Sequence, residues 1–147
     1  MEIPETDQQQ PEVQGVAIYS KLAVLLFSIF FDPLIGGILL MLNLRSVGYK
    51  RQGTIVMLFA AGYYFVSSFL MSYVATILGV KLTMEAMLSN PKVIIILLVL
   101  KIIGGGILAE YFYRKYFPYN DYEHKSIWKP LIITIAGIML LSTLIRL

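Results

Sequence analysis

The sequence predicts an all-α protein: a polytopic membrane bundle of four transmembrane helices with a Pro-kinked first helix. Three observations carry that prediction. Hydrophobic residues make up 58% of the 147-residue chain. Charged residues make up only 14%, against about a quarter in an average soluble domain. The apolar residues are gathered into runs of bilayer length, joined by short polar connections. Those runs use most of the chain and leave no room for a soluble catalytic domain.

The elements follow in order. Residues 1–15 are acidic and rich in Pro and Gln, and read as a disordered tail. They lack the basic start of a cleaved signal peptide, so the first apolar run is expected to remain as a mature helix. Residues 16–147 form the bundle, with helices at about 17–44, 53–80, 93–113 and 130–146. Within the first, Pro33 lacks an N–H and pushes Asp32 away from helical dihedrals, and Gly36 and Gly37 loosen the next turn. Asp32-Pro33 also resembles a helix N-cap followed by Pro at the first helical position. Neither half is long enough to span alone, so one kinked span is expected rather than a hairpin, with a re-entrant loop as the alternative.

A basic turn, Arg45 to Gln52, leads to the second helix. There Ala61, Ser68, Ser72, Ala75 and Gly79 fall on one narrow face, which lets another backbone approach closely. Asn90-Pro91 starts the third helix, which contains Lys101 and the packing or bending glycines Gly104, Gly105 and Gly106. The following loop is dense in aromatic and charged residues. Arg114, Lys115 and Trp128 are expected there at the headgroup level, in contact with lipid. Counting Lys and Arg in the loops places the connections after helices one and three in the cytoplasm and both termini outside.

Asp32 and Lys101 are the residues most out of place. Each lies deep in an apolar segment, about 15 Å from Leu22 and about 12 Å from Val93 at the helical rise. An ionisable group at that depth ordinarily faces protein or water and has a partner. The two form a candidate intramembrane pair. It reads as a structural pair, as two unpaired groups with Asp32 neutral or capping helix one and Lys101 snorkelling to an interface, or as part of a relay or transport site. If helix one is regular, Lys21, Ser28, Asp32, Gly36 and Asn43 line up as a polar stripe.

Other chemistry is poorly supported. The chain has no cysteine, which excludes disulfides and thiolate sites. His124 is the single histidine and has too few neighbouring ligands for a metal site. The glycine triplet lacks the strand-to-helix context of a phosphate loop. No serine sits in a GxSxG context. No catalytic residue, metal or cofactor is expected, and the net charge of +3 reads as membrane-flanking Lys and Arg rather than nucleic-acid binding.

Phe30-Phe31-Asp32-Pro33-Leu34-Ile35-Gly36-Gly37, followed by Leu39-Leu40, Asn43, Arg45 and Gly48, resembles a pattern in small uncharacterised bacterial membrane proteins. Their first helix carries an FFG-x-PLAGG-like core, then an Asn and a basic turn ending in Gly. The likeness covers about residues 19–52. It implies a bacterial cytoplasmic (inner) membrane and four spans with a kinked first helix. The family has no assigned activity, so no substrate is implied. Asp32 stands where the pattern has a small residue.

The functional expectation is a non-enzymatic, multi-pass accessory or interaction component. Its partners would be the lipid bilayer and either another membrane protein or a second copy of itself. The alternative is a small oligomeric channel or transporter for ions, protons or a small anionic solute, using Asp32 and Lys101.

Overall fold

The computed structural model describes residues 16–81, 83–118 and 122–145. The tail expected over residues 1–15 lies outside them. The described residues form helices: α1 (Lys21–Phe30), α2 (Pro33–Ser46), α3 (Lys50–Ile77), α4 (Met84–Ser89) and α5 (Pro91–Gly106). The α5 helix runs on through a π-helical segment, Ile107–Tyr113, and α6 (Arg114–Tyr116), and α7 (Trp128–Ile145) closes the series. Two of these helices are long and apolar enough to cross a membrane, α3 with 28 residues and the continuous Pro91–Tyr116 helix with 26. The others of apolar character, α1, α2 and α7, are shorter.

The expected kinked first span is instead a helical hairpin. Along one helix, even a kinked one, residues 19 and 43 would lie about 36 Å apart. Here the Tyr19 N–H donates to Asn43 Oδ1 at 2.8 Å, and Asn43 Nδ2 donates to the Tyr19 carbonyl at 2.7 Å. The chain therefore turns back at Phe31-Asp32, and α1 and α2 run antiparallel. Asp32 is extended, at φ −167° and ψ 148°, and its carboxylate accepts the Leu34 N–H at 2.9 Å. Pro33 follows at the first helical position, where its missing N–H costs nothing. The Asp-Pro pair thus starts a new helix rather than bending an old one. The two arms are about 15 and 21 Å long. The hairpin reaches about half the thickness of a hydrocarbon core.

Glycine permits the fold-back. A Cβ built on Gly36 would stand 1.9 Å from Ser28 Oγ and 2.8 Å from the Val24 carbonyl oxygen. Gly37 meets Ala60 of α3, with an added Cβ 2.4 Å from the Ala60 methyl. On α5, a Cβ at Gly104 would fall 2.5 Å from the Tyr63 ring and 2.7 Å from the Pro33 ring. Gly105 lies as closely over Ser28, whereas Gly106 faces open space. The α1–α2 hairpin is thus wedged between α3 and α5 through small residues.

The packing face of α3 differs from the expected one. Its buried residues are Gly53, Val56, Ala60, Met71 and Ala75. Of the expected set, Ala75 is buried and Ala61 half-buried, while Ser68 and Ser72 are exposed. Gly79 lies past the helix end, at φ +64°, and terminates α3. The hairpin packs on α3 through Gly37 against Ala60, which places the buried stripe on that side of the helix.

The core sits at the open end of the hairpin, where Ile18, Val24, Leu40, Leu44, Val56 and Leu108 are fully buried. The incoming segment is pinned there. Ile18 donates to the Glu123 carbonyl and accepts from the Lys125 N–H, both at 2.8 Å. Asn43 is fully buried and pairs with both backbone groups of Tyr19, so the polar backbone entering the bundle is satisfied. Replacing Asn43→Ala removes a partner from a buried N–H while Tyr113 Oη still serves the Tyr19 carbonyl at 3.1 Å. The expected loss is about 1–3 kcal/mol, read as a lower midpoint of thermal unfolding in nanodiscs. Asn43→Asp should lose at least as much, because it sets a buried carboxylate oxygen against the Tyr19 carbonyl that Nδ2 now serves.

Among the described residues of α7, those at its start pack on the bundle. Pro130 is buried and Leu131 packs on the core, but Ile132, Ile133, Ile138, Met139 and Leu140 are exposed.

Candidate functional site: a charged cavity at the hairpin tip

The turn between α1 and α2 ends among the long helices, and a cavity of 380 Å³ opens there. Asp32 and Pro33 of the hairpin, Tyr63, Tyr64, Ser67, Ser68, Met71 and Ser72 of α3, and Leu97, Leu100 and Lys101 of α5 line it. The structure therefore brings Asp32 and Lys101 to one cavity, from segments 69 positions apart in the numbering shown.

They do not meet as an ion pair. Among the described residues the ion pairs are Lys21–Glu110 and Arg114–Glu110. Each group of the candidate pair is held by a helix end instead. Lys101 Nζ donates to the Phe31 carbonyl, at the C-terminus of α1. Asp32 caps the N-terminus of α2. A helix C-terminus carries partial negative charge and unsatisfied carbonyls, and an N-terminus the reverse. A cation on the first and a carboxylate on the second is the favourable arrangement for both. The break in the hairpin thus creates two helix ends deep in an apolar region, and two polar side chains satisfy them.

Each retains capacity towards the cavity. The ammonium has three donors and the carboxylate two oxygens, and one partner is present for each. Ser67 Oγ, on the same wall, is buried with no hydrogen-bond partner. Ser72 donates to the Ser68 carbonyl at 3.0 Å, and Tyr63 Oη to the Leu100 carbonyl at 2.6 Å, which ties α3 to α5. The polar stripe expected along helix one is dispersed by the fold-back. Lys21 pairs with Glu110, Ser28 donates to the Val24 carbonyl at 2.8 Å, Asn43 holds Tyr19, and Asp32 alone faces the cavity.

Tyr63 and Tyr64 escaped the sequence reading, and Ser67 entered it only among the serines set aside as nucleophiles. Ser67 adjoins Ser68, which the small-residue face included, so its signal was present one helical step away. The Phe31 carbonyl carries no sequence signal at all. At the opposite end, Arg114 and Lys115 are exposed, Lys115 Nζ lies 5.7 Å from the Tyr111 and Tyr116 ring centres, and Trp128 is exposed. This arrangement suits a boundary between apolar and wet surroundings.

Fold and site define a class: an all-helical protein with two helices of membrane-spanning length and a charged cavity between them. Comparison of the chain with family models, with curated proteins and with solved structures finds no match in any of the three.

Proposed function

We propose that the protein is a multi-pass component of a bacterial cytoplasmic membrane in which the hairpin-tip cavity binds or passes a small polar solute, a proton or an ion. In this reading α3, the Pro91–Tyr116 helix and α7 cross the bilayer, and the α1–α2 hairpin enters and leaves on one side. The chain is non-enzymatic and works as an oligomer. The observation that carries the reading is the placement of Asp32 and Lys101 on one cavity, each already satisfied by a helix end. Broken helices whose ends face a cavity at membrane depth are a recurring way to build such sites, because irregular backbone is tolerated there only where it lines a cavity or is buried in protein.

The hairpin also changes the expected orientation. It moves Lys21 to the side of Arg45, Lys50, Arg51, Arg114, Lys115, Lys125 and Lys129, against Lys81, Lys92 and, in the sequence after α7, Arg146. The excess of Lys and Arg makes the first side cytoplasmic. The N-terminal segment is then cytoplasmic, not external as a full first span would have it.

The test is flux in proteoliposomes containing the purified full chain. Wild-type protein is expected to raise proton, ion or small-solute permeability above empty liposomes. Asp32→Asn should change the flux while leaving the protein folded. No flux from wild type for any of the three overturns the transport reading.

A second reading, an accessory or interaction component, is favoured by α7. Beyond Pro130 and Leu131 the apolar side chains described, Ile132, Ile133, Ile138, Met139 and Leu140 among them, are exposed, and another membrane protein or a second copy would cover them. The native mass after gentle extraction decides this: a fixed-stoichiometry foreign partner supports it, and a lone monomer removes it.

A further inference from the structure

The cavity is charge-balanced, and that property narrows its ligand beyond the class proposed above. It presents one carboxylate, one ammonium and one buried orphan hydroxyl, from Asp32, Lys101 and Ser67, on a wall that also carries apolar Pro33, Met71, Leu97 and Leu100 and the hydroxyl side chains of α3. We propose that it takes a small zwitterion of the amino-acid class, with the ligand carboxylate on Lys101, its ammonium on Asp32 and Ser67 hydrogen-bonded to one end. This rests on the reading of the cavity as a binding site.

Charge and size both argue for it. A simple anion would pair with Lys101 but be repelled by Asp32, and a simple cation would meet the reverse. Both would also carry a net charge into an apolar region, where desolvation is costly. A zwitterion is neutral overall and pairs both groups at once. Its ammonium must carry N–H donors, since the open capacity of Asp32 is for accepting hydrogen bonds. The volume of 380 Å³ corresponds to about a dozen waters at 30 Å³ each. That is room for a small amino acid with some accompanying water and lies at the low end of ligand-pocket sizes. The positions of the charges favour the same orientation. Lys101 stands at the α1 C-terminus and Asp32 at the α2 N-terminus, so the ligand bridges the two broken ends of the hairpin.

Equilibrium binding of radiolabelled glycine and alanine to the full chain in nanodiscs tests this, with acetate and methylammonium as competitors that each carry half of the charge pattern. Saturable amino-acid binding is expected, with each half-ligand competing at least about 30-fold more weakly, the loss that follows when one member of a buried charge pair goes unmatched. Lys101→Met and Asp32→Asn should each weaken glycine by a similar factor. Both side chains cap helix ends, so Ser67→Leu is the second variant: it adds volume on the α3 wall while both caps stay in the sequence, and should abolish binding with the thermal midpoint close to wild type. Acetate competing as well as glycine, binding that persists in Ser67→Leu, or no saturable amino-acid binding overturns the proposal. Proton or ion flux without glycine binding would refute the ligand class and keep the transport reading. Glycine binding without any flux would do the opposite.

Discussion

Gly36→Ala should prevent the hairpin from closing in its native form. The new Cβ would overlap Ser28 Oγ at 1.9 Å and press the Val24 carbonyl oxygen at 2.8 Å. A serine hydroxyl can rotate, but the carbonyl belongs to the backbone of α1, so α1 and α2 must separate. Overpacking of this kind costs about 1–3 kcal/mol and sometimes more. The opposing gain, Ala over Gly in a helix, is about 1 kcal/mol, so the net change is destabilising. Separation of the arms would also shift Asp32 and Pro33 from the cavity, so ligand or flux readouts should fall with the thermal midpoint. Gly106→Ala is the matched comparison. It lies on a helix at φ −61° with no atom within 4 Å of the added carbon, and should be neutral or slightly stabilising. Gly36→Ala combined with Ser28→Ala should recover part of the loss. Equal midpoints for Gly36→Ala and Gly106→Ala would show that the arms are not in contact.

Membrane sidedness should change completely between the hairpin and the kinked-span arrangement. The chain has no cysteine, so single-cysteine variants can be labelled without a modified background. Ser20 precedes α1 and Ser46 ends α2. In intact spheroplasts, Ser20→Cys and Ser46→Cys should both resist a membrane-impermeant maleimide, and both should react after lysis. Ser89→Cys, at the end of α4, should react in intact spheroplasts. A single kinked span would put Ser20 and Ser46 on opposite faces, giving one labelled and one protected site. Loss of the Ser20 side-chain cap, whose hydroxyl oxygen accepts the Ala23 N–H at 3.1 Å, costs about 1 kcal/mol. That is small against the all-or-none pattern being read.

The helical character of the apolar runs was legible, and so were several punctuating residues. Asn90-Pro91 starts α5 as expected, with Asn90 Oδ1 accepting the Lys92 N–H at 3.1 Å. Gly104 and Gly105 are close-packing positions. The Asp-Pro signature of a helix start was visible too. Length argued against it, because each arm is too short to cross a bilayer. That argument assumes every apolar run must reach the far side. It fails where α3 and α5 pack against the turn, since the helix ends it creates then find partners, Lys101 on the Phe31 carbonyl and Asp32 on the Leu34 N–H.

The π-helical segment had no sequence signal. Its residues Ile107 to Tyr113 read as ordinary helix, yet they bring Phe112 to 5.0 Å from the Phe59 ring, Tyr113 onto the Tyr19 carbonyl and Glu110 onto Lys21. Such segments arise from the fit between one helix and its neighbours, which no local pattern contains.

The division follows the range of the forces involved. Composition, apolar run length and capping residues act within one segment, so the sequence alone determined an all-helical chain, the Asn90-Pro91 start of α5, and the two charges in apolar segments worth following. The direction in which the chain leaves Asp32 depends on whether Gly36 can lie against Val24 and Ser28, and whether Gly104 can lie against Pro33 and Tyr63. Those are contacts between distant segments. Only the tertiary structure decided that the first apolar run folds back, that Lys101 goes to the Phe31 carbonyl rather than to Asp32, and that Ser67 faces the same cavity unpartnered.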